Sequence, residues 1–487
     1  MNDARVPTLV AELKAVLPGE ILVTDPVELR TYECDGLNRF ATTPAVVVLA
    51  RSRDDVVQTV RLCDQHNVPF VARGAGTGLS GGSVPHEDGV LIVLAPLRRI
   101  LEIDIANQRS VVEPGVANLD VTRAAGPFGY AYVPDPSSQQ VCTIGGNVAE
   151  NSGGAHCLKY GFTANHITGL EIVTAEGEVV ELGGKAPDPP GYDLIGAFVG
   201  SEGTLGVVTK ATVRLCRSPE AVSTLLAGFR DLDEAGAAVS SIIGSGLVPA
   251  AIEMMDALAI EAAEAAVACA YPKGAGAVLI VELDGPIAEV EASAGDVERH
   301  CRAHGAFEVR QASDPAERAA IWRGRKSAFA AVGRISPDYL VQDGVVPRSE
   351  LPSILRAIAQ LSEERAIRVA NVFHAGDGNL HPLVLFDARV DGELERAEAC
   401  SEAIIELCLQ RGGSVSGEHG IGLDKRASLG HMFSTEDLDT MQLLRCAFDP
   451  KGLCNPGKVF PTPRLCGEPP GRGRLHPLEQ AGIAERW

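Results

Sequence analysis

The sequence predicts an α+β protein with more than one domain. Its 487 residues exceed what a single hydrophobic core of ordinary size contains, so we expect two or three domains. Short strand patterns follow one another closely between residues 91 and 112, which favours a mixed α+β domain over a strict alternation of strands and helices. The stretch from Glu220 to about Ala370 is instead rich in alanine and in helical patterns, and it predicts a separate cap-like domain.

Composition limits the classes of function. Hydrophobic residues make up 45% of the chain and charged residues 22%, as in an ordinary globular protein. The formal net charge of −21 argues against a nucleic-acid surface or an anionic membrane surface, since both are bound through concentrated lysine and arginine. The 12 cysteines include no C-x-x-C pair, which argues against iron–sulfur clusters and zinc knuckles, and most are expected to be inert buried thiols.

The apolar segments predict buried strands and no membrane span. The longest runs, residues 45–50 and 90–95, have about a third of the length that a spanning helix needs. The N-terminus has an acid at its third residue and lacks the basic start and apolar stretch of a secretory signal. We therefore expect a cytoplasmic protein.

The first elements predicted along the chain are a strand, a helix and a second strand. The apolar run 45–50 is followed by Ser52-x-x-Asp55, a helix-start box. The helix is expected to end at Asn67, and the strand over 68–72 leads directly into a glycine-rich loop. Further strands are predicted at 91–97, 101–105, 110–112 and 207–215, and helices at 256–270 and 315–332.

Three glycine-rich segments lie in the first half of the chain, at residues 73–82, 143–154 and 200–206. Gly76-x-Gly78-x-x-Gly81 matches the dinucleotide fingerprint by its letters, but residues 82–85 (Gly-Ser-Val-Pro) cannot open the helix that would hold a pyrophosphate. A nicotinamide-binding Rossmann fold is therefore rejected. Glycines also let successive backbone N–H groups converge on an anion, so the three segments predict a ligand with an extended phosphate spine, with plain tight turns as the alternative.

Two histidines flank a predicted hairpin turn. Asp377-Gly378 between two apolar segments is a strong signal for a two-residue turn. With that turn, His374 faces His381 directly across the two strands, with Cβ atoms about 5 Å apart on one face. Two imidazoles held in this way can serve as metal ligands.

A third candidate ligand lies in the segment Ser416-Gly-Glu-His-Gly-Ile-Gly422, where Glu418 stands beside His419. Glu418 can complete a three-ligand metal site with the two histidines. A hydrogen-bonded histidine pair without metal is the alternative for the pair alone. For the whole set, the alternative is a metallohydrolase that uses the three ligands and a bound water.

The glycine-rich segments carry a family resemblance. The string Arg73-Gly-Ala-Gly-Thr-Gly-Leu-Ser-Gly-Gly82 resembles the FAD pyrophosphate loop of the flavoprotein family that includes vanillyl-alcohol oxidase and p-cresol methylhydroxylase. Residues 143–154, 159–161 and 200–209 resemble the other FAD-contacting segments of that family, in the same order. The likeness covers about residues 20–460 and is strongest to flavin-binding subunits of bacterial glycolate oxidase, with D-lactate and D-2-hydroxyglutarate dehydrogenases also similar.

This resemblance implies a two-part FAD-binding domain of the vanillyl-alcohol oxidase type and an α+β cap domain for substrate with an antiparallel sheet. The expected parts are residues 1–218 for the FAD-binding domain, 219–425 for the cap, 426–460 for a segment that returns to the FAD-binding domain, and 461–487 for an extended tail. FAD is expected to be noncovalent, because its pyrophosphate loop contains neither histidine nor cysteine.

The resemblance also implies which residues contact FAD, including Asn455 in a closing motif over 455–458. The implied contacts are Arg73, Gly74, Ala75, Gly76, Thr77, Gly78, Leu79, Ser80, Gly81, Pro134, Ile144, Gly145, Asn147, Asn151, Ser152, Gly153, Gly154, Tyr160, Gly161, Glu202, Gly203, Val208 and Asn455.

For catalysis, the resemblance implies a metal next to the flavin. In similar enzymes that act on D-2-hydroxy acids, the positions matching His374, His381 and Glu418 bind a divalent metal such as Zn²⁺. The position matching His419 acts as the base for the substrate hydroxyl, while hydride passes to the flavin. Arg325 is expected to clamp the substrate carboxylate, because guanidinium pairs bidentately with carboxylate; an exposed basic helix face is the alternative.

The expected substrate is a small monoacid, glycolate or D-lactate. Val341-Gln342 stand where the D-2-hydroxyglutarate relatives carry a lysine, although a dehydrogenase of that type is kept as an alternative. Without a cysteine relay, reduced FAD must pass its electrons to a separate acceptor. The likeness to glycolate oxidase implies an iron–sulfur subunit, which could hold the protein peripherally at the inner membrane; a subunit that serves mainly in assembly is a further alternative.

Overall fold

The computed structural model describes residues 5–37, 39–186 and 191–461, so the expected tail from 462 to 487 lies outside the described residues. Within them, 19 strands form four sheets. The strands are β1 Leu22–Val23, β2 Val46–Leu49, β3 Phe70–Arg73, β4 Val90–Val93, β5 Ile100–Asp104, β6 Arg109–Val112, β7 Tyr130–Ala131, β8 Ile167–Val173, β9 Val179–Gly183, β10 Val207–Arg214, β11 Cys216–Arg217, β12 Ala221–Phe229, β13 Ala251–Asp256, β14 Ala277–Gly285, β15 Glu308–Gln311, β16 Asp338–Val341, β17 Gly344–Val345, β18 Arg368–His374 and β19 Asn379–Phe386.

Helices separate and cover these strands. They are α1 Arg5–Val16, α2 Pro26–Leu29, α3 Arg53–His66, α4 Asn118–Ala125, α5 Ile144–Glu150, α6 Cys157–Tyr160, α7 Leu194–Phe198, α8 Leu232–Gly244, α9 Ala257–Val267, α10 Ile287–Ala303, α11 Pro315–Val332, α12 Leu351–Arg365, α13 Glu393–Gln410, α14 Leu429–Met432 and α15 Thr435–Phe448. In the described part of the chain, no helix is both long and apolar enough to cross a lipid bilayer.

The N-terminal lobe contains two larger sheets, of strand order β1-β2-β4-β3 and β5-β6-β10-β8-β9. The predicted strand, helix, strand start is confirmed. Ser52 and Asp55 form the capping box of α3, and Asn67 ends the helix in the left-handed conformation with φ 52°. No helix follows the first glycine loop, as predicted, since the next regular element after Arg73 is strand β4.

The end of the described chain returns to this N-terminal lobe. The backbone N–H of Phe70 donates to the carbonyl of Leu453 at 2.9 Å, and the N–H of Asn455 donates to the carbonyl of Phe70 at 2.8 Å. The segment after α15 thus extends the first sheet beside β3. The expected boundaries between the parts stay a prediction.

The cap is built on an eight-stranded antiparallel sheet of order β15-β12-β14-β13-β18-β19-β16, with β17 also paired to β19. Alternating residues of its strands pack on opposite helical layers. Phe373 lies in the core shared with α8, α10, α12 and α13, whereas Val372 lies in the core shared with α9 and α11. The helix predicted over 315–332 is α11, with the predicted bounds.

The predicted register of the histidine hairpin is wrong. His374 pairs with Asn379, and His381 pairs with Val372, so the connection spans four residues instead of two. Gly376 leaves the ladder because its N–H donates to the carbonyl of Ile252 on β13 at 3.1 Å. His374 and His381 are therefore diagonal neighbours on one face of the sheet, which still brings long side chains within reach of each other.

A partly buried ion-pair network joins the N-terminal lobe to the cap. His156 lies between two carboxylates, with Nδ1 2.9 Å from Asp135 and Nε2 3.2 Å from Glu282 of β14. Its ring stacks on Trp322 of α11 with 5.8 Å between ring centroids. Nearby, the Tyr160 hydroxyl donates to Asp284 at 2.7 Å. These contacts fix the position of the glycine loops relative to the cap.

Replacing His156 with phenylalanine is expected to lower the free energy of unfolding by about 3 kcal/mol, because the buried Glu282 and the partly buried Asp135 lose a charged partner. Burial opposes the charged imidazole, but Asp135 and Glu282 outweigh it and raise the pKa of His156 to about 10. This stabilisation is complete below the unfolded pKa of about 6.5 and is lost as the pH rises through 10. Urea unfolding of both proteins should therefore give the larger difference at pH 6 and a smaller one at pH 9; an unchanged difference would contradict the assignment.

Candidate active site

A cavity of about 870 Å³ lies between the N-terminal lobe and the cap. All three glycine-rich segments contribute to its walls. Of the residues expected to contact a cofactor, those that line it are Arg73, Gly74, Ala75, Gly76, Thr77, Gly78, Leu79, Gly145, Asn147, Ser152, Glu202, Gly203 and Val208.

The first glycine loop presents unpaired backbone donors to this cavity. Among the described residues, no backbone N–H from Gly74 to Leu79 donates to a protein acceptor. Gly76 has φ +69°, a backbone conformation that favours glycine, and a Cβ atom there would displace the Arg73 guanidinium, which lies 2.1 Å from its position. A run of free N–H groups over a cationic side chain is a suitable site for the phosphates of a dinucleotide.

The remaining expected cofactor residues lie outside the cavity wall: Ser80, Gly81, Pro134, Ile144, Asn151, Gly153, Gly154, Tyr160, Gly161 and Asn455. Several of them support the loops that do line it. The Asn455 side-chain amide donates to the carbonyls of Gly82 at 2.9 Å and Glu202 at 2.6 Å, which ties two glycine segments together. The Ser80 carbonyl accepts from Leu423 and Asp424, which attaches the first loop to the segment after His419.

Three candidate metal ligands converge at one end of the site. Nε2 of His374 lies 3.4 Å and Nε2 of His381 lies 3.1 Å from the same carboxylate oxygen of Glu418. The two rings are perpendicular, with centroids 5.0 Å apart, and one ligand atom from each residue lies within 4.8 Å of the others. The second Glu418 oxygen is buried without a hydrogen-bond partner among the described residues, and a Cβ atom at Gly153 would lie 2.7 Å from it.

The electrostatics of these three side chains suit a cation. Burial opposes the charged form of His374, but Glu253 and Glu418 outweigh it and raise its pKa well above the ordinary value. Burial also opposes the Glu418 carboxylate, but His374 and His381 lower its pKa well below the ordinary value. Two imidazoles and one ionised carboxylate with an unpaired oxygen are donors that a divalent metal such as zinc accepts.

His419 lies at the cavity wall, beside the candidate metal ligand His381. It lines the cavity together with Glu418, and its ring stacks on His381 at a centroid distance of 5.0 Å and an angle of 11°. Its Nδ1 is buried without a hydrogen-bond partner among the described residues. Burial lowers the pKa of His419 to about 4, and His381 and Lys425 add to the effect against the opposing charge of Asp343. A neutral imidazole with a free nitrogen can accept a proton.

A buried carboxylate, Asp343, holds the loop that carries Glu418 and His419. It accepts hydrogen bonds from the backbone N–H groups of Gly417 at 3.1 Å, Glu418 at 3.2 Å and His419 at 2.8 Å. Two side-chain donors complete the set, the Ser416 hydroxyl at 2.6 Å and Lys425 at 3.1 Å. Asp343 thus holds the loop over residues 416–419 in place.

Arg325, the expected carboxylate clamp, does not line the large cavity. It is only 2% exposed, and its Nη2 lies 2.6 Å from Glu253. Its Nε is buried without a hydrogen-bond partner among the described residues. Arg325 lines a small adjoining pocket together with His374 and Lys326, and Lys326 also lines the large cavity.

The cap contributes a wall of which the sequence indicated only Val341. Its members come from α11, β16 and neighbouring segments: Lys326, Phe329, Ala330, Pro337, Asp338, Tyr339, Leu340, Val341, Phe386, Ala388 and Leu394. Phe329 also contacts the metal-ligand cluster, since its ring lies edge-on to His381 at 5.8 Å. Phe329 follows Arg325 by one helical turn, so helical spacing from the expected clamp could have indicated it.

Two family models match this chain. Residues 44–183 match the model described as "FAD binding domain", and residues 218–459 match "FAD linked oxidases, C-terminal domain". The large cavity lies between these two matched regions and is lined by residues of both.

Relatives of known name and a solved structure agree with these matches. The chain is 49% identical to glycolate oxidase subunit GlcD of Escherichia coli (strain K12), over 96% of this chain and 94% of that protein. It is 31% identical to a D-lactate dehydrogenase of Anaerostipes hadrus, over 93% and 97%. Its fold is similar to the crystal structure of p-cresol methylhydroxylase with substrate bound, with a TM-score of 0.77, 16% identity, and 94% and 97% of the two chains covered.

Proposed function

We propose that this chain oxidises a small 2-hydroxy acid to the 2-oxo acid and passes the electrons to a separate acceptor, because it belongs to the FAD-linked oxidase family that includes glycolate oxidase subunit GlcD. One observation carries this proposal. Glu418 and His419 line the same cavity as the glycine loops, so a metal ligand and a neutral base face the space expected to hold the flavin.

FAD is expected to bind with its phosphates on the free N–H groups of residues 74–79. When bound, FAD supplies the acceptor for the hydride that leaves C2 of the substrate. Asn455 supports this region, because its side-chain amide donates to the carbonyl of Gly82 in the first glycine segment and to that of Glu202 in the third.

His374, His381 and Glu418 are expected to hold a divalent metal such as Zn²⁺. When bound, the metal supplies a Lewis acid that lowers the pKa of the substrate hydroxyl. His419 then takes the hydroxyl proton at its free nitrogen, and its neutral state follows from burial beside His381 and Lys425. In the overall reaction, the substrate alcohol would lose one proton to His419 and one hydride to FAD, which leaves the 2-oxo acid.

Arg325 is expected to bind the substrate carboxylate from the small pocket that it shares with His374 and Lys326. Its buried Nε has no acceptor among the described residues, and a carboxylate is the anion that a guanidinium pairs with best. Lys326 extends positive charge from this pocket to the large cavity.

The cap wall favours a small monoacid. Phe329, Leu340 and Val341 present apolar side chains to the cavity. A second carboxylate placed against these three side chains would exchange water for apolar surface, which disfavours D-2-hydroxyglutarate. Glycolate is the first choice and D-lactate the second.

The electron acceptor is expected to be a separate protein, such as an iron–sulfur subunit. The relative with 49% identity is itself named as a subunit of glycolate oxidase. The sequence contains no C-x-x-C pair that could hold a cluster for an internal relay.

Steady-state kinetics with an artificial electron acceptor test the substrate assignment. We expect kcat/KM for glycolate or D-lactate to exceed that for D-2-hydroxyglutarate by about 100-fold or more, since moving a second carboxylate from water to an apolar wall costs about 3 kcal/mol. L-lactate serves as the control for stereochemistry. A preference for D-2-hydroxyglutarate would refute the small-monoacid proposal and leave the flavin chemistry intact.

A further inference from the structure

Glu253 is a buried carboxylate in the middle of an apolar strand. It lies on β13 and is only 1% exposed. In the antiparallel register of β13 and β18 it stands directly opposite His374. Directly paired residues of neighbouring strands point to the same face, so the carboxylate lies beside the imidazole.

Glu253 contacts both His374 and Arg325. Nδ1 of His374 lies 2.8 Å and 3.0 Å from its two carboxylate oxygens. Nη2 of Arg325, from α11, lies 2.6 Å from one of these oxygens. All three residues line the small pocket next to the large cavity.

These contacts determine how His374 can act as a ligand. An imidazole that donates its Nδ1 proton to a carboxylate has its lone pair on Nε2, and Nε2 of His374 is the atom 3.4 Å from Glu418. A carboxylate behind a ligating histidine also makes the ligand nitrogen more basic and fixes the ring orientation. The same carboxylate neutralises Arg325, which would otherwise be an uncompensated buried charge.

We propose that Glu253 is a positioning residue that joins the two halves of the reacting site. It orients His374 as a metal ligand and holds Arg325 in place for the substrate carboxylate. This inference rests on the proposed function, since it requires a metal at His374, His381 and Glu418.

Metal affinity of the purified, FAD-containing protein tests the first half of this role without using activity. Apoprotein prepared with a chelator is dialysed against buffered Zn²⁺, and bound zinc is measured by elemental analysis. We expect Glu253→Gln to weaken zinc binding by about 10- to 100-fold, the usual effect of removing such an outer carboxylate, while the FAD content stays at the wild-type value.

Two companion variants keep the test valid if Glu253→Gln folds poorly. The double variant Glu253→Gln/Arg325→Gln removes the uncompensated cation and should bind zinc as weakly as Glu253→Gln. Arg325→Gln alone keeps the charge beside His374, so it should retain wild-type zinc affinity while KM for the 2-hydroxy acid rises.

Glu282→Gln is the matched control, because Glu282 is also a buried carboxylate of the same sheet that pairs with a histidine and an arginine. It contacts none of the three metal ligands and should leave zinc affinity unchanged. Wild-type zinc affinity in Glu253→Gln would overturn this inference alone. Absence of zinc binding in the wild-type protein would instead overturn the metal site of the proposed function.

Discussion

Replacing His419 with alanine is expected to lower kcat by about 10²- to 10⁴-fold, the range that a positioned general base contributes. FAD and metal should remain bound, because His419 is neither in the first glycine loop nor one of the three converging ligands. Anaerobic stopped-flow measurement of flavin reduction isolates the chemical step from reoxidation by the acceptor. The variant should show a lower rate of flavin reduction and an unchanged rate of flavin reoxidation.

The control for this variant is His431→Ala, which changes an exposed histidine of the short helix α14. It should reduce its flavin at the wild-type rate. A His419→Ala protein that reduces its flavin as fast as the wild type would remove His419 from the mechanism.

Replacing Glu418 with glutamine is expected to release the metal and to lower kcat by about 10³-fold or more, because the proposed site of His374, His381 and Glu418 loses its anionic ligand and the Lewis acid with it. Nε2 of His374 and Nε2 of His381 both lie against the same Glu418 oxygen, and among the described residues Glu418 is the carboxylate that forms a three-ligand group with both histidines. Wild-type protein treated with a chelator should show the same loss, and added Zn²⁺ should restore it.

Glu398→Gln is the matched control for Glu418→Gln. Glu398 also lines the large cavity, but it pairs with Arg39 at 2.7 Å and is not part of the ligand cluster. Its metal content and turnover should stay near those of the wild type. Full turnover of the wild-type protein after complete metal removal would contradict a catalytic role for the metal.

The sequence predicted much of the site because its signals are local. Glycine loops, a helix-start box and the pair Glu418-His419 are short motifs that are recognised without knowing the fold. The family matches confirm FAD-dependent oxidation, and they favour it over a metallohydrolase that would use the same three ligands.

The sequence could not predict what depends on long-range packing. The hairpin register was wrong because Gly376 bonds to Ile252, a residue more than a hundred positions earlier. Glu253 meets His374 only through the pairing of β13 with β18, and Asp343 meets His419 only in the folded protein. An acid within an apolar strand was nevertheless a usable signal, since such a charge is seldom buried without a partner.

The most direct measurement is anaerobic mixing of the purified protein with glycolate, followed through the flavin absorption bands. The proposed function predicts one noncovalent FAD per chain, bleaching of its oxidised bands by glycolate or D-lactate, and one equivalent of 2-oxo acid formed per flavin reduced. Protein that releases no FAD on denaturation, or whose flavin stays oxidised with every small 2-hydroxy acid tried, would contradict it.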